Sequence, residues 1–321
     1  MNEKGVVIQM NGLHICATGQ CLPEQAVTNA MLSETVDTND EWISTRTGIK
    51  QRYFCKEETN VSLASNAAKQ AMERAGISAE DIGVCVVATF TPDYATPSVA
   101  CLVQQKLGLP AHIPAFDINA ACSGFLYGLQ IIQGLLATSS ARYALLIGSE
   151  VISRVLNFED RTTCVLFGDG AGAVVVERSD AHRFFSVLGA SGNAEVLSCN
   201  GVGKPHQFLQ MNGKEVFRFA VDTIPRCVNE ILEKAELTLD DIDYVVCHQA
   251  NERIISHTVK KLNARPEQFF MNLQRYGNTS AASIPLALDE MAAGRLLKPG
   301  MKIICVGFGA GLTWGGALLE W

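Results

Sequence analysis

One helix-and-strand module occurs twice in this chain, and the repetition constrains the fold more than any other feature. The stretch from Ala71, AMERAGISAEDIGVCVV, aligns with the one from Ile231, ILEKAELTLDDIDYVVC, at an offset of 160 residues, about half of the 321. Glu73/Glu233, Ala75/Ala235, Asp81/Asp241, Ile82/Ile242 and Val86/Val246 are identical between the copies. Each copy predicts a helix, a Ser/Thr-x-x-Asp start signal and a buried strand of β-branched residues. Further on, QKLGLP from Gln105 pairs with KKLNARP from Lys260, and Gly148 closing ALLIG matches Gly307 closing IICVG. A solenoid has much shorter periods. Alternating helix and strand patterns predict an α/β fold of two duplicated halves, each a mixed sheet covered by helices and packed on the other. The halves are expected to divide between Arg178 and Arg183, where the strand AGAVVVE gives way to polar ERSDAHR, as residues 1–180 and 181–321 with no linker. The Gly-, Ser- and Asn-rich span Ser191 to Pro205 predicts a surface loop.

Composition narrows the function classes. Charged residues make up 18% of the chain, against ~25% in ordinary globular proteins, so extensive burial or self-association is expected. Asp and Glu outnumber Lys and Arg by 33 to 26, which argues against a nucleic-acid partner held by a broad cationic field. Ile118 to Ala141 carries no charge over 24 residues, but Asn119, Ser123, Gln130, Gln133, Thr138 and Ser139 interrupt it, favouring a buried helix over a membrane span. The apolar N-terminal stretch is broken by Gln9, Asn11 and His14, a poor signal peptide. Eleven cysteines with no Cys-x-x-Cys pair, several inside apolar runs, suggest reduced thiols and a cytoplasmic location.

Three residues stand where chemistry is done. Cys122 lies where an extended segment ending near Asn119 meets a long apolar helix starting near Ser123, so unpaired N–H groups and the helix dipole are expected to stabilise a thiolate. A buried core cysteine is the other local possibility. His248 follows the strand DYVVC, at a strand C-terminus where open α/β sheets place ligands, or serves structure alone. Asn278 lies in YGNTSAAS, a turn in which Asn commonly serves backbone geometry. Asn119 to Cys122 and Asn272 to Asn278 follow corresponding helices of the two copies, so duplication brings them together. FGDGAGA (Phe167 to Ala173) predicts a tight turn between strands. GFGAGLTWGG (Gly307 to Gly316) predicts another, able to aim an N–H at an oxyanion, and neither matches a phosphate loop. Arg253, His257, Lys260 and Lys261 fall on one helix face, a basic stripe on an acidic protein that would steer an acidic partner.

Together DINAACSGF, HQANERI, YGNTSAASIP, VGFGAGLTWGGALLEW and DTNDEWISTRTGI resemble β-ketoacyl-acyl carrier protein synthase III, of the thiolase-like condensing enzymes, from about Leu13 to Trp321. The resemblance implies a thiolase-like αβαβα fold and a decarboxylative Claisen condensation of an acyl-CoA with malonyl-acyl carrier protein, initiating fatty acid synthesis. It implies Cys122 as nucleophile, His248 and Asn278 as donors to the enolate, and the N–H groups of Cys122 and Gly309 as oxyanion hole. For His248 to donate as a neutral imidazole in a dry pocket, its pKa must be depressed. Thr38, Trp42, Arg46 and Arg161 would take the nucleotide of coenzyme A, with Met211, Phe217, Ala250, Asn251 and Phe308 along the pantetheine tunnel. The carrier would dock on Arg218, Gln249, Ala250, Asn251, Glu252, Arg253, Lys260 and Lys261. Thr96, in YATPSVAC, stands where well-known members carry a bulky Phe before the loop that reaches a neighbouring subunit, so acetyl is not assumed as primer. The resemblance further implies a homodimer, acyl-CoA as substrate and no tightly bound cofactor; no membrane partner is expected.

Two other functions fit the sequence less well. A secondary-pathway condensing enzyme or acyltransferase would keep the fold and change the primer or acceptor. A non-catalytic acyl carrier or coenzyme A binder would not need all three catalytic positions. Degradative thiolases need a second cysteine near the C-terminal glycine loop, whereas Cys305 sits inside the strand IICVG. The six histidines show neither HxxxH nor HExxH spacing, so no metal is expected.

Overall fold

The computed structural model describes residues 12–201, 203–204 and 208–321. Of the residues behind the signal-peptide expectation Gln9 and Asn11 lie outside these while His14 lies in the first strand, and Pro205 at the end of the expected loop also lies outside them. In chain order the strands are β1 (Gly12–Cys21), β2 (Ala26–Thr28), β3 (Gln51–Tyr53), β4 (Ile82–Ala88), β5 (Ala115–Ile118), β6 (Tyr143–Glu150), β7 (Gly170–Ser179), β8 (Phe184–Ala190), β9 (Leu197–Cys199), β10 (Leu209–Met211), β11 (Tyr244–Cys247), β12 (Lys302–Gly309) and β13 (Thr313–Glu320). The helices are α1 (Asn29–Leu32), α2 (Asp40–Thr47), α3 (Asn60–Ala75), α4 (Val99–Leu107), α5 (Gly124–Ala137), α6 (Gly213–Ala235), α7 (Glu252–Lys261), α8 (Leu273–Tyr276) and α9 (Ser283–Ala293).

Two mixed sheets carry the fold. One has the order β1-β7-β6-β4-β5, with β4 parallel to β5 and β6 and the other pairs antiparallel. The second runs β11-β12-β13-β8, with only β11 and β12 parallel. Between them lie α5 and α9. Phe125, Leu126, Leu129, Ile132 and Leu136 of α5 are fully buried, packed with Ile284, Ala287, Leu288 and Met291 of α9 against Val86 and Leu146 of one sheet and Ile303 and Cys305 of the other. Each such side chain contributes roughly 1.5–3 kcal/mol. The uncharged run is thus the inner layer of a thiolase-like αβαβα stack. On the outer faces α3 and α4 cover the first sheet, and α6 and α7 cover the second.

The repeated module folds twice in the same way. Helix α3 ends on Gly76 in the left-handed region, and α6 ends on Glu236 in the same conformation. The Asp81 carboxylate accepts from the Ser78 N–H at 2.7 Å, as the Asp241 carboxylate does from the Thr238 N–H at 2.8 Å. In both copies this start signal opens a single 3-10 turn rather than a new helix, and the strand follows directly.

Two expectations are corrected. The glycines of FGDGAGA form no turn: Gly170 to Ala173 belong to β7, and α9 lies against them so closely that a Cβ on Gly172 would stand 2.7 Å from the Leu286 nitrogen. Ser191 to Pro205 is not loop throughout, because Leu197–Cys199 pairs antiparallel with Leu209–Met211 as a small ribbon and Val196 is buried. Polar composition concealed a three-residue strand whose apolar members face a cavity.

Candidate active site

Cys122 stands on a strained elbow that the duplication has built twice. Ala121 adopts φ 47° and Ser280 φ 50°, a left-handed backbone that costs a non-glycine residue roughly 1–3 kcal/mol. In each case the asparagine two residues earlier steadies it. Asn119 Oδ1 accepts from the Ala121 N–H at 3.1 Å, and Asn278 Oδ1 accepts from the Ser280 N–H at 2.9 Å. Cys122 and Ala281 therefore occupy equivalent places, each the middle residue of a 3-10 turn that leads into α5 or α9. The Asn278 Oδ1 serves the turn, while its amide Nδ2 has no hydrogen-bond acceptor among the described residues.

Cys122 is buried, and two cavities meet at it. One, of about 930 Å³, runs from Trp42 and Arg46 past Met211, Phe217, Ala250 and Asn251 to Cys122, His248, Asn278, Phe308 and Gly309. The other, of about 910 Å³, lies beyond the nucleophile among Phe90, Phe167, Leu197, Cys199 and Leu209. Gly309 closes on the elbow: a Cβ there would stand 2.6 Å from the Cys122 nitrogen. Only glycine permits that approach. The Cys122 N–H has no backbone acceptor among the described residues. Burial pushes the thiol up to about 12, against the opposing hydrogen bond of Ser280. Against the expected stabilisation of a thiolate by the helix terminus stands this burial, which favours the protonated thiol.

His248 follows β11 and is buried, its pKa lowered to about 3 by that burial. The imidazole is neutral. Its Nδ1 lies 2.7 Å from Ser283 Oγ, which also accepts from the Gln249 N–H at 3.4 Å; a Ser283 hydroxyl that donates to Nδ1 leaves the imidazole proton on Nε2. Phe308 packs edge-on against the ring with centroids 5.5 Å apart.

Sequence reasoning missed Ser283 and Glu150. Glu150 ends β6 fully buried, its carboxylate accepting from Thr89, Thr91, the Phe90 N–H and, at 3.1 Å, the Ser280 hydroxyl. Burial raises it to about 7. Through Ser280 it is linked to Cys122 by two hydrogen bonds. An acid closing the apolar run ALLIGS was the signal available in the sequence.

At the outer mouth Trp42 is half-buried, with the Arg46 guanidinium 4.7 Å and the Arg161 guanidinium 5.2 Å from its ring centroid. Arg161 also donates to the Asp37 carbonyl at 2.7 Å, beside Thr38, whose buried Oγ1 has no partner among the described residues. Arg253, His257, Lys260 and Lys261 are all exposed on α7. Lys261 is paired with Asp222 at 2.7 Å, and Arg218 with Glu215 at 2.9 Å. Gln249 is corrected: it is 1% exposed, its amide donates to the Cys247 and Phe270 carbonyls and its oxygen accepts from the Asn272 N–H, so it braces the site and presents no docking surface. Asn251 caps α7 and donates to the Arg46 carbonyl, tying the mouth to the stripe. Thr96 is exposed and lines neither cavity.

The five-layer architecture with this cysteine, histidine and asparagine at the junction of two cavities defines a condensing enzyme of the thiolase-like fold. Residues 116–192 match the family model described as 3-Oxoacyl-[acyl-carrier-protein (ACP)] synthase III, and residues 232–321 match the one for its C terminal part. The chain is 46% identical to the β-ketoacyl-(acyl-carrier-protein) synthase III of Clostridium acetobutylicum, over 97% of this chain and 99% of that protein. Among solved structures it resembles the 3-oxoacyl-(acyl-carrier-protein) synthase III of Aquifex aeolicus (TM-score 0.93, 44% identity, 97% of this chain and 100% of that one) and that of Pseudomonas aeruginosa (TM-score 0.92, 37% identity, 97% and 98%). The chain belongs to the 3-oxoacyl-(acyl-carrier-protein) synthase III family.

Proposed function

We propose that this chain joins an acyl-CoA primer to malonyl-acyl carrier protein by decarboxylative condensation, giving 3-ketoacyl-acyl carrier protein, coenzyme A and carbon dioxide, the step that initiates fatty acid synthesis. The observation that carries the reading is the placement of Cys122, His248 and Asn278 on one cavity. Cys122 Sγ attacks the thioester carbonyl, whose oxyanion is held by the N–H groups of Cys122 and Gly309, and its proton leaves with coenzyme A as the free thiol. Malonyl-acyl carrier protein then loses carbon dioxide. The electron pair moves onto the thioester oxygen, held by His248 Nε2–H and Asn278 Nδ2–H, and returns to form the carbon–carbon bond as Cys122 thiolate departs and takes up a proton. A neutral histidine suits this role, since a donor is needed and no proton need move. No tightly bound cofactor takes part.

Trp42, Arg46, Arg161 and Thr38 would hold the nucleotide by stacking and charge, and the cavity walls the pantetheine arm. The acyl chain would extend among Phe90, Leu197 and Leu209. An acyl carrier protein would dock on Arg253, Lys260 and the neighbouring Arg218, beside Asn251 and Glu252. We read residues 1–180 and 181–321 as the two halves, and the protein as a homodimer. In such a dimer Thr96 would face the partner's acyl pocket. Among the described residues no helix is long and apolar enough to cross a membrane, and eleven free cysteines support the cytoplasm.

The roles separate in one pair of assays. His248→Ala and Asn278→Ala are expected to acylate Cys122 within about ten-fold of the parent rate while losing at least about 10²-fold in release of carbon dioxide from malonyl-acyl carrier protein. Arg253→Glu should raise KM for the malonyl carrier and leave acylation by acyl-CoA unchanged. Variants that lose both half-reactions equally would contradict the assignment of donors.

A further inference from the structure

We propose that His14, Cys16 and Glu177 form a binding site for a divalent cation of the zinc class, far in function from the condensing site and unused by it. The three side chains come from neighbouring strands of one sheet. His14 and Cys16 project from the same face of β1, opposite Leu13 and Ile15, which enter the inner core. The β1–β7 register shifts between Ile15 and Ala17, so Cys16 is the extra residue of a bulge, a device that re-aims a side chain. Glu177 on β7 is directly opposite His14. The spacing of the ligand atoms is the central observation. Cys16 Sγ lies 3.5 Å from Glu177 Oε2, His14 Nδ1 lies 3.8 Å from the same oxygen, and His14 Nδ1 and Cys16 Sγ are 3.8 Å apart. Metal–sulfur bonds of about 2.3 Å and metal–nitrogen or metal–oxygen bonds of about 2.0–2.2 Å put the ligands of a tetrahedral zinc roughly 3.3–3.6 Å from one another. The triangle needs to contract by no more than about half an ångström to become one face of that tetrahedron.

The surroundings fit a cation as well. Arg142 engages Glu177 through Oε1, its Nε donating at 2.7 Å, and leaves Oε2 turned toward His14 and Cys16. His182, in the turn between β7 and β8, stacks on the His14 ring with centroids 4.2 Å apart and a 20° tilt, while its Nδ1 is bonded to Ser179. The stack fixes the orientation of His14, and a water would complete the tetrahedron. A thiolate and a carboxylate balance the double charge, and the mixed sulfur, nitrogen and oxygen set selects zinc-like ions over magnesium or calcium. No spacing search on the sequence finds this site, because its ligands are brought together across a strand pair more than 160 residues apart in the chain.

Cobalt(II) chloride added to the full-length protein in reducing buffer tests it. The expected result is one bound equivalent with a near-ultraviolet thiolate-to-cobalt band that zinc chloride displaces. Cys16→Ser should abolish the band, and His14→Gln should weaken cobalt binding at least ten-fold with an unchanged circular dichroism spectrum, whereas Cys122→Ser should retain both. His14 is half-exposed, so its variant decides the matter if Cys16→Ser fails to fold. Failure to bind cobalt, or a band and affinity that survive His14→Gln, would overturn the proposal.

Discussion

At the scale of single residues the site works by controlling which groups carry charge in a dry cavity. Burial pushes the Cys122 thiol up and the His248 imidazole down, favouring the uncharged form of each, and in the proposed mechanism charge would develop where N–H groups are aimed at it. The condensation step should accordingly show no acid limb from His248 near its ordinary value. Glu150 follows the same rule, burial favouring its uncharged form. Its carboxyl is raised by burial from 4.5 to about 7, ahead of the hydrogen bonds from Thr91, Phe90, Ser280 and Thr89 that oppose the shift. The folded state therefore holds a proton that the unfolded chain has released, and stability falls as pH rises from about 4.5 through about 7. Glu150→Gln removes that slope, and its stability relative to the parent should improve by up to about 3 kcal/mol between pH 4.5 and pH 8, read from urea denaturation at each pH. Parallel curves for the two proteins would contradict a raised Glu150.

At the scale of elements the two elbows explain what the sequence discloses and what it conceals. The repeated module announced helix, start signal and strand in both halves, because each is specified by residues within a few positions: Ser78 with Asp81, Thr238 with Asp241. Cys122, His248 and Asn278 could be singled out for the same reason, standing at junctions that local pattern marks, and the family motifs supplied the roles proposed for them. Glu150, Ser283 and the bracing of Gln249 were not legible, since each acquires its meaning from a partner between 23 and 130 residues away. The glycines of β7 misled because a turn and a close helix approach demand the same residue. Gly309 is the position where element and chemistry coincide. Gly309→Ala would drive the elbow away from β12, and acylation of Cys122 should fall by about 10²–10³-fold, as for loss of an oxyanion donor, with the melting temperature lowered by only a few degrees. Acylation near the parent rate in a stopped-flow assay would contradict the role of this contact.

At the scale of the molecule, duplication brings two strand termini into one cavity system, with a mouth at Trp42 and Arg46 on one side of Cys122 and an apolar recess on the other. The inner helices α5 and α9 make that junction rigid, since each begins at one of the elbows and is buried between both sheets. The outer helix α7 places a basic face beside the mouth, where a carrier-borne substrate would enter. The central claim is that an acyl group passes through Cys122 and is then consumed by a malonyl carrier. Intact-protein mass spectrometry measures this most directly, on parent and Cys122→Ala proteins incubated with a mixture of acetyl, branched, medium and long acyl-CoA and then with malonyl-acyl carrier protein. The expected result is a single acyl adduct on the parent, absent from the variant and discharged by the malonyl carrier, with its mass naming the primer. An adduct that forms equally on Cys122→Ala, or that the malonyl carrier leaves in place, would contradict it.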